Sequence, residues 1–169
     1  MKELENKLDE MLVKKAPFQI PDDARKWIAE YAWIFALVGL VLGVLSFFPL
    51  LALVGLVSGL GVVVGAGFAV MLAWVSLGAL LAYLVVLAMS IPKLKAMQYS
   101  GWQLTFYSAI AFFVYDVLNW LASPAVNFFG FILNTVGVVA FVYVLFQVRS
   151  YFKGSKVSSA PATKVESKK

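Results

Sequence analysis

Apolar and polar positions alternate with a helical period at the start of this chain and then give way to almost unbroken hydrophobicity. In "MKELENKLDEMLVKK", Leu4, Leu8, Met11 and Leu12 fall on one stripe, with Lys2, Glu3, Lys7, Asp9 and Glu10 mostly elsewhere. That spacing predicts an amphipathic helix over 1–15. Its stripe has three candidate surfaces: the membrane, the protein's own bundle, or a partner. The prolines of "APFQIP" end the pattern, and "PDDARKWIAEY" restarts it, making 16–26 a linker and the beginning of the next helix. Pro21 suits a helix start, and Asp22 and Asp23 lie near the positive end of the helix dipole.

Between Tyr31 and Pro92 there is no charged residue, and after Lys95 the next is Asp116. Runs of this length exceed the roughly 20 apolar residues that a membrane-spanning helix needs. Aromatic residues mark the interfaces: Trp27, Tyr31 and Trp33 at the start of the first span, Trp102 and Trp120 at either end of a later one, Tyr151 and Phe152 after the last.

The number of crossings follows from the basic residues. Lys14, Lys15, Arg25 and Lys26 precede the uncharged block, Lys93 and Lys95 follow it, and the C-terminal segment carries Arg149, Lys153 and further lysines. An excess of Lys and Arg on the cytoplasmic side puts all three groups on one face, with Lys93, Lys95, Arg149 and Lys153 as cytoplasmic anchors. A return to the same side needs an even number of crossings, so four spans are expected, at about 28–48, 67–91, 102–122 and 126–148. Residues 49–66 are left over: too apolar for a watery loop, they are an outer connection that extends the helices, lies in the interface, or dips back against the bundle. The tail 150–169 is small, polar and basic without periodicity, and is expected to be disordered. The expected architecture is all-α: an integral membrane four-helix bundle with an N-terminal amphipathic helix, both termini cytoplasmic.

Composition narrows the chemistry. Of 169 residues 62% are hydrophobic and 14% charged, and there is neither Cys nor His. That removes thiolate nucleophiles, disulfide relays, imidazole bases and the usual Cys/His metal and haem sites. The net charge of +5 is confined to the ends and one loop, where an anionic lipid surface explains it better than nucleic acid does. The bilayer is thus the first partner, a second copy or another membrane protein the next. No cleavable leader precedes the first span, which is expected to be retained.

The stretch "GLVSGLGVVVGAG" invites a phosphate-loop reading, but such a loop requires a preceding strand, a helix start and an acid about 20 residues on. The next acid is Asp116, in another helix. Small-residue packing fits instead: Gly39 and Gly43, Gly55 and Gly59, and Gly61 and Gly65 are each four apart, which places both members on one helix face where a neighbouring backbone comes close.

Asp116 is the one acid expected within the hydrocarbon beyond the interfacial Glu30. A carboxyl at that depth costs about 2.5–3.5 kcal/mol on insertion scales and marks a functional candidate. Asn119 shares its helix face, and Asn127 and Asn134 lie seven apart on one face of the next span with Thr135 beside them. At 1.5 Å per residue, Asp116 and Asn134 sit roughly 9 and 12 Å in from the outer ends of their helices. Neighbouring antiparallel spans therefore bring Asp116, Asn119 and Asn134 together. The cluster is read either as interhelical glue or as a proton or cation site. Enzymatic readings come third and no enzyme is expected: a carboxylate dyad would require the second acid of a symmetric dimer, and the serines lack a base at membrane depth. No cofactor and no metal site is expected.

Three segments, "KKAPFQIPDDARKWI", "SGWQLTFYS" and "LFQVRSYF", carry a resemblance. In order and flanks they resemble a group of small, uncharacterised multi-span proteins of reduced-genome, candidate-phylum bacteria. The resemblance implies a multi-span architecture in a bacterial inner membrane and implies no activity or site residues. The function expected from the whole sequence is a non-enzymatic membrane scaffold or accessory subunit; the alternative is a small transporter or channel component using Asp116.

Overall fold

The structure, a computed structural model, describes residues 2–14, 18–63, 66–122 and 124–152. Helix α1 (Lys2–Asp9) runs into a π turn over Glu10–Lys14; the long helices α2 (Asp22–Val63), α3 (Gly67–Lys95), α4 (Tyr99–Ala122) and α5 (Pro124–Gln147) follow, and a 3₁₀ turn over Arg149–Tyr151 closes the described chain. The protein is all-α, and α2 to α5 are each long and apolar enough to cross a membrane. Their outward surfaces carry large exposed apolar side chains such as Leu45, Leu56, Phe129 and Leu133, as lipid-facing helices do.

The span boundaries differ from expectation chiefly in α2. The first span, expected over 28–48, begins at Asp22 and continues through Pro49 to Val63, so most of the connection expected at 49–66 is helix extension. At 42 residues α2 is about 63 Å long, twice the roughly 30 Å hydrocarbon core. Asp22 and Asp23 in its first turn complement the helix dipole. Pro49 removes one backbone bond without ending the helix, because Leu on both sides favours continuing it and an apolar surrounding offers the backbone no other partner.

Close helix packing follows chain order, α2 on α3, α3 on α4 and α4 on α5. Where α2 meets α3, side chains of α3 rather than its backbone face two of the α2 glycines. A Cβ on Gly43 would lie 2.5 Å from Leu84 Cδ2, and one on Gly39 would meet Tyr83 and Leu87. Further out, Trp74 Nε1 donates to Ser58 Oγ across the same pair at 3.0 Å. By contrast, among the described residues no atom beyond their own helix backbone lies within 4 Å of a Cβ built on Gly55 or Gly59. The surroundings of Gly61, and Gly65 altogether, lie outside the described residues.

The α3–α4 turn is tighter still. Met97 adopts φ 52°, and its neighbours close the helix end: Met97 N donates to Leu94 O and Gln98 N to Lys93 O. The returning helix then presses Gly101 onto that end, where a Cβ would fall 2.6 Å from the backbone nitrogen of Leu94. The most buried part of the protein lies at this end of the bundle. Trp102, Phe106 and Phe146 pack there edge-to-face and stacked, against Ala29, Leu94, Val148 and Phe152.

Candidate functional site

Asp116 stands where periodicity places it, on the face of α4 that meets α5. It is 2% exposed, and its Oδ1 accepts a hydrogen bond of 2.9 Å from Asn134 Nδ2. The level of the two helices is set nearby by Trp120, whose ring stacks on Phe131 at 5.0 Å. Asn119 is half-buried one turn beyond Asp116. The side chain of Asn127 lies outside the described residues. Asp116 Oδ2, Trp120 Nε1 and Thr135 Oγ1 are buried without a hydrogen-bond partner. One carboxyl with one amide ties two helices and leaves one carboxyl oxygen in reserve; it does not make a dyad. Among the described residues no group of three or more acids, His or Cys is placed to hold a metal.

The other buried hydroxyls are occupied locally. Ser76 and Ser90 on α3, and Thr105 and Ser108 on α4, each donate to a carbonyl of their own helix at 2.7–2.9 Å. Such back-bonding lets a hydroxyl sit in an apolar interior without an external partner.

A second polar centre, at the opposite end of the bundle, is organised by Arg149. Sequence reasoning assigned this residue to the row of cytoplasmic anchors; it is 7% exposed and is turned inward. Its Nη1 lies 3.3 Å from Asp9 Oδ1 and its Nη2 3.6 Å from Glu5 Oε2, both on the N-terminal segment. Nη2 also donates to Tyr99 OH at 2.8 Å, and that hydroxyl donates in turn to Glu5 at 3.0 Å. Gln103 Nε2 lies 3.5 Å from the other Glu5 oxygen. The guanidinium plane covers the Trp102 ring at 4.9 Å, a cation–π contact that favours Arg over Lys. Two carboxylates within 4 Å hold the guanidinium inward. Of the other anchors, Lys95 lies over the Trp33 ring at 5.1 Å, Lys93 is half-buried, and Lys153 falls outside the described residues.

The signal for this centre was present but unread. Glu5 and Asp9 are four apart and therefore on one helix face, an acidic edge beside the apolar stripe. Of the stripe, Leu8 and Leu12 pack against the core together with Val13, Met11 is exposed, and the side chain of Leu4 lies outside the described residues; Gln147 Nε2 donates to Leu12 O at 2.9 Å.

Between α2 and α5, which lack the close packing of successive helices, runs a cavity of about 780 Å³. Ala32, Ala36 and Gly39 form one wall, Gly137 and Ala140 the other, and Asn134 stands among its lining residues. Thr105 and Ser108 contribute to the lining with hydroxyls already bonded to α4, so its surface is essentially apolar.

No protein-family model matches the chain, and no curated protein or solved structure matches it either.

Proposed function

We propose that the protein is a non-enzymatic, multi-span membrane scaffold or accessory subunit of a bacterial inner membrane, with both termini in the cytoplasm. The observation that carries this reading is the unequal use of the α2 glycines. Gly39 and Gly43 are closed by α3, whereas among the described residues nothing lies within 4 Å of a Cβ built on Gly55 or Gly59. Lipid offers no hydrophobic drive for helix association, so close backbone approach at such faces is a principal means of lateral contact between spans. The polar groups at depth support the same reading: the hydroxyls bond within their helices, and Asp116 joins α4 to α5. The test is native electrophoresis and cross-linking in membranes. Gly55→Leu with Gly59→Leu should abolish the assembly formed by the wild type while leaving the monomer folded. An assembly unchanged by both substitutions, or a wild type that is monomeric throughout, refutes the reading.

A second reading, a small transporter or channel component, draws support from the unpartnered Asp116 Oδ2 and from the cavity that reaches Asn134. Under it, Asp116→Asn abolishes a pH-dependent or ion-dependent flux in proteoliposomes at unchanged abundance. Under the scaffold reading the same substitution leaves both untouched.

A further inference from the structure

The cavity between α2 and α5 has two unlike ends. At one, Trp27 and Ile28 of α2 and Leu145 and Val148 of α5 line it. The other end is marked by a chain of contacts from Gly39 to Tyr83, from Tyr83 to Phe112 and, one turn further along α4, from Asp116 to Asn134. Here the lining carries the Tyr83 hydroxyl and the Asn134 carboxamide. Asn134 is exposed and spends one amide hydrogen on Asp116 Oδ1, which leaves its second amide hydrogen as a donor and its own Oδ1 as an acceptor. Along α5 the lining runs from Leu133 to Val148, about 22 Å at 1.5 Å per residue.

We propose that the cavity binds a neutral lipid, a molecule with a long hydrocarbon body and one uncharged, oxygen-bearing head, with the head at Asn134 and Tyr83 and the body running toward Trp27 and Val148. Size and lining fit such an occupant: 780 Å³ falls within the roughly 300–1,000 Å³ of small-molecule sites, which are mostly apolar with a few placed polar groups. Water suits the cavity poorly, because each buried water needs two to four polar partners and the hydroxyls of Thr105 and Ser108 are already given to their own helix. A charged head is disfavoured, since no Lys, Arg, Asp or Glu stands among the lining residues to compensate it. Phe35 of α2 and Leu133 of α5 line the cavity and are exposed, so it opens sideways between two apolar spans, the side from which a lipid arrives. A carboxamide left half-bonded at membrane depth gains from a partner that hydrocarbon alone cannot supply. Neither the scaffold nor the transporter reading is required for this site.

The test uses the full-length protein in nanodiscs of phosphatidylethanolamine and phosphatidylglycerol, with dioleoylglycerol, a decyl-chain benzoquinone or, as the charged control, oleate added over a range of concentrations. Native mass spectrometry reads the mass bound per chain. The expected result is one molecule of at least one neutral probe per chain, held at least about tenfold more tightly than oleate; the acylglycerol and quinone arms distinguish the two sources of such a head. Tyr83→Phe and Asn134→Leu should each weaken that binding about threefold to tenfold, the worth of one hydrogen bond. Gly137→Leu should abolish it, because Gly137 lines the cavity and a Cβ built there meets open space. Binding of neither neutral probe overturns the proposal, whether the cavity stays empty or a second copy of the chain fills it. Oleate bound as tightly as the neutral probes, or binding indifferent to Gly137→Leu, overturns it as well. If Asn134→Leu or Gly137→Leu fails to fold, Tyr83→Phe, which keeps the ring, is read alone, and an affinity unchanged by it refutes the placement of the head.

Discussion

The Arg149 guanidinium lies 3.3 Å from the Asp9 carboxylate, so that the last turn of the described chain grips its first helix. Arg149 and its second acid, Glu5, are buried and Asp9 is partly so, and Tyr99, Gln103 and Trp102 complete the surroundings of the charges. Burial makes the contact asymmetric in its consequences: a matched pair contributes little net stability, whereas removing one member strands the other in a low-dielectric site.

Arg149→Gln should therefore lower stability by about 3–5 kcal/mol, because Glu5 and Asp9 lose their shared cation. Glu5→Gln should cost less, since Asp9 still satisfies Arg149. Thermal unfolding of the purified protein in detergent orders the variants, and equal losses for the two would refute the assignment of Arg149 as the hub. Arg149→Lys should recover only part of the loss, because an ammonium lacks the planar fork that reaches two carboxylates while lying over a ring.

Asp116 and Asn134 are expected to behave as a single interhelical contact. Asn134→Leu should cost about 0.6–2 kcal/mol, the usual range for a polar contact between spans. Asp116→Asn preserves size and an acceptor oxygen and should cost less. A double-mutant cycle on unfolding in detergent checks the coupling; strictly additive effects would show that the 2.9 Å bond carries no energy.

Substituting glycines should separate packed from open faces. Gly101→Ala forces a methyl to 2.6 Å from the backbone nitrogen of Leu94, which has no rotamer to yield, and should destabilise by about 1–3 kcal/mol or more. Gly59→Ala meets open space and should stabilise an isolated monomer by about 0.5–1 kcal/mol through helix propensity. Gly43→Ala should fall between them, because the colliding atom is the end of the Leu84 side chain. Unfolding midpoints decide the order.

Topology is testable with single cysteines in a chain that has none. A cysteine replacing Lys93 should react with a membrane-impermeant maleimide only after the inner face is opened, and one replacing Ala122 should react from outside the cell. Reaction of the Lys93 site in intact cells would reverse the orientation. Labelling of both sites from the same face would contradict an odd number of crossings between them.

The four long helices were legible from sequence because in hydrocarbon every backbone group must be satisfied within its own segment. Apolar run length therefore predicts helix directly. The Asp116–Asn134 contact was legible for a related reason: helical rise sets depth, period sets face, and a short turn makes adjacent spans neighbours. The glycine pair at 39 and 43 followed from the same face rule, but nothing in its spelling distinguishes it from the pair at 55 and 59, and only the position of α3 does. Positive-inside counting treats every Lys and Arg as a solvated charge, which is why Arg149 was grouped with the anchors.

What the sequence determined by itself was thus whatever depends on local periodicity and apolar run length: the helical class, the four long apolar helices and the face of α4 that carries the buried acid. The tertiary structure decided where Leu8 and Leu12 pack, which charge is turned inward, and where α2 and α5 stay apart. These choices are made by groups from opposite ends of the chain, Glu5 and Asp9 with Arg149, and Phe18 with Tyr143. No local pattern encodes such meetings, because their energy exists only once the ends of the bundle have come together.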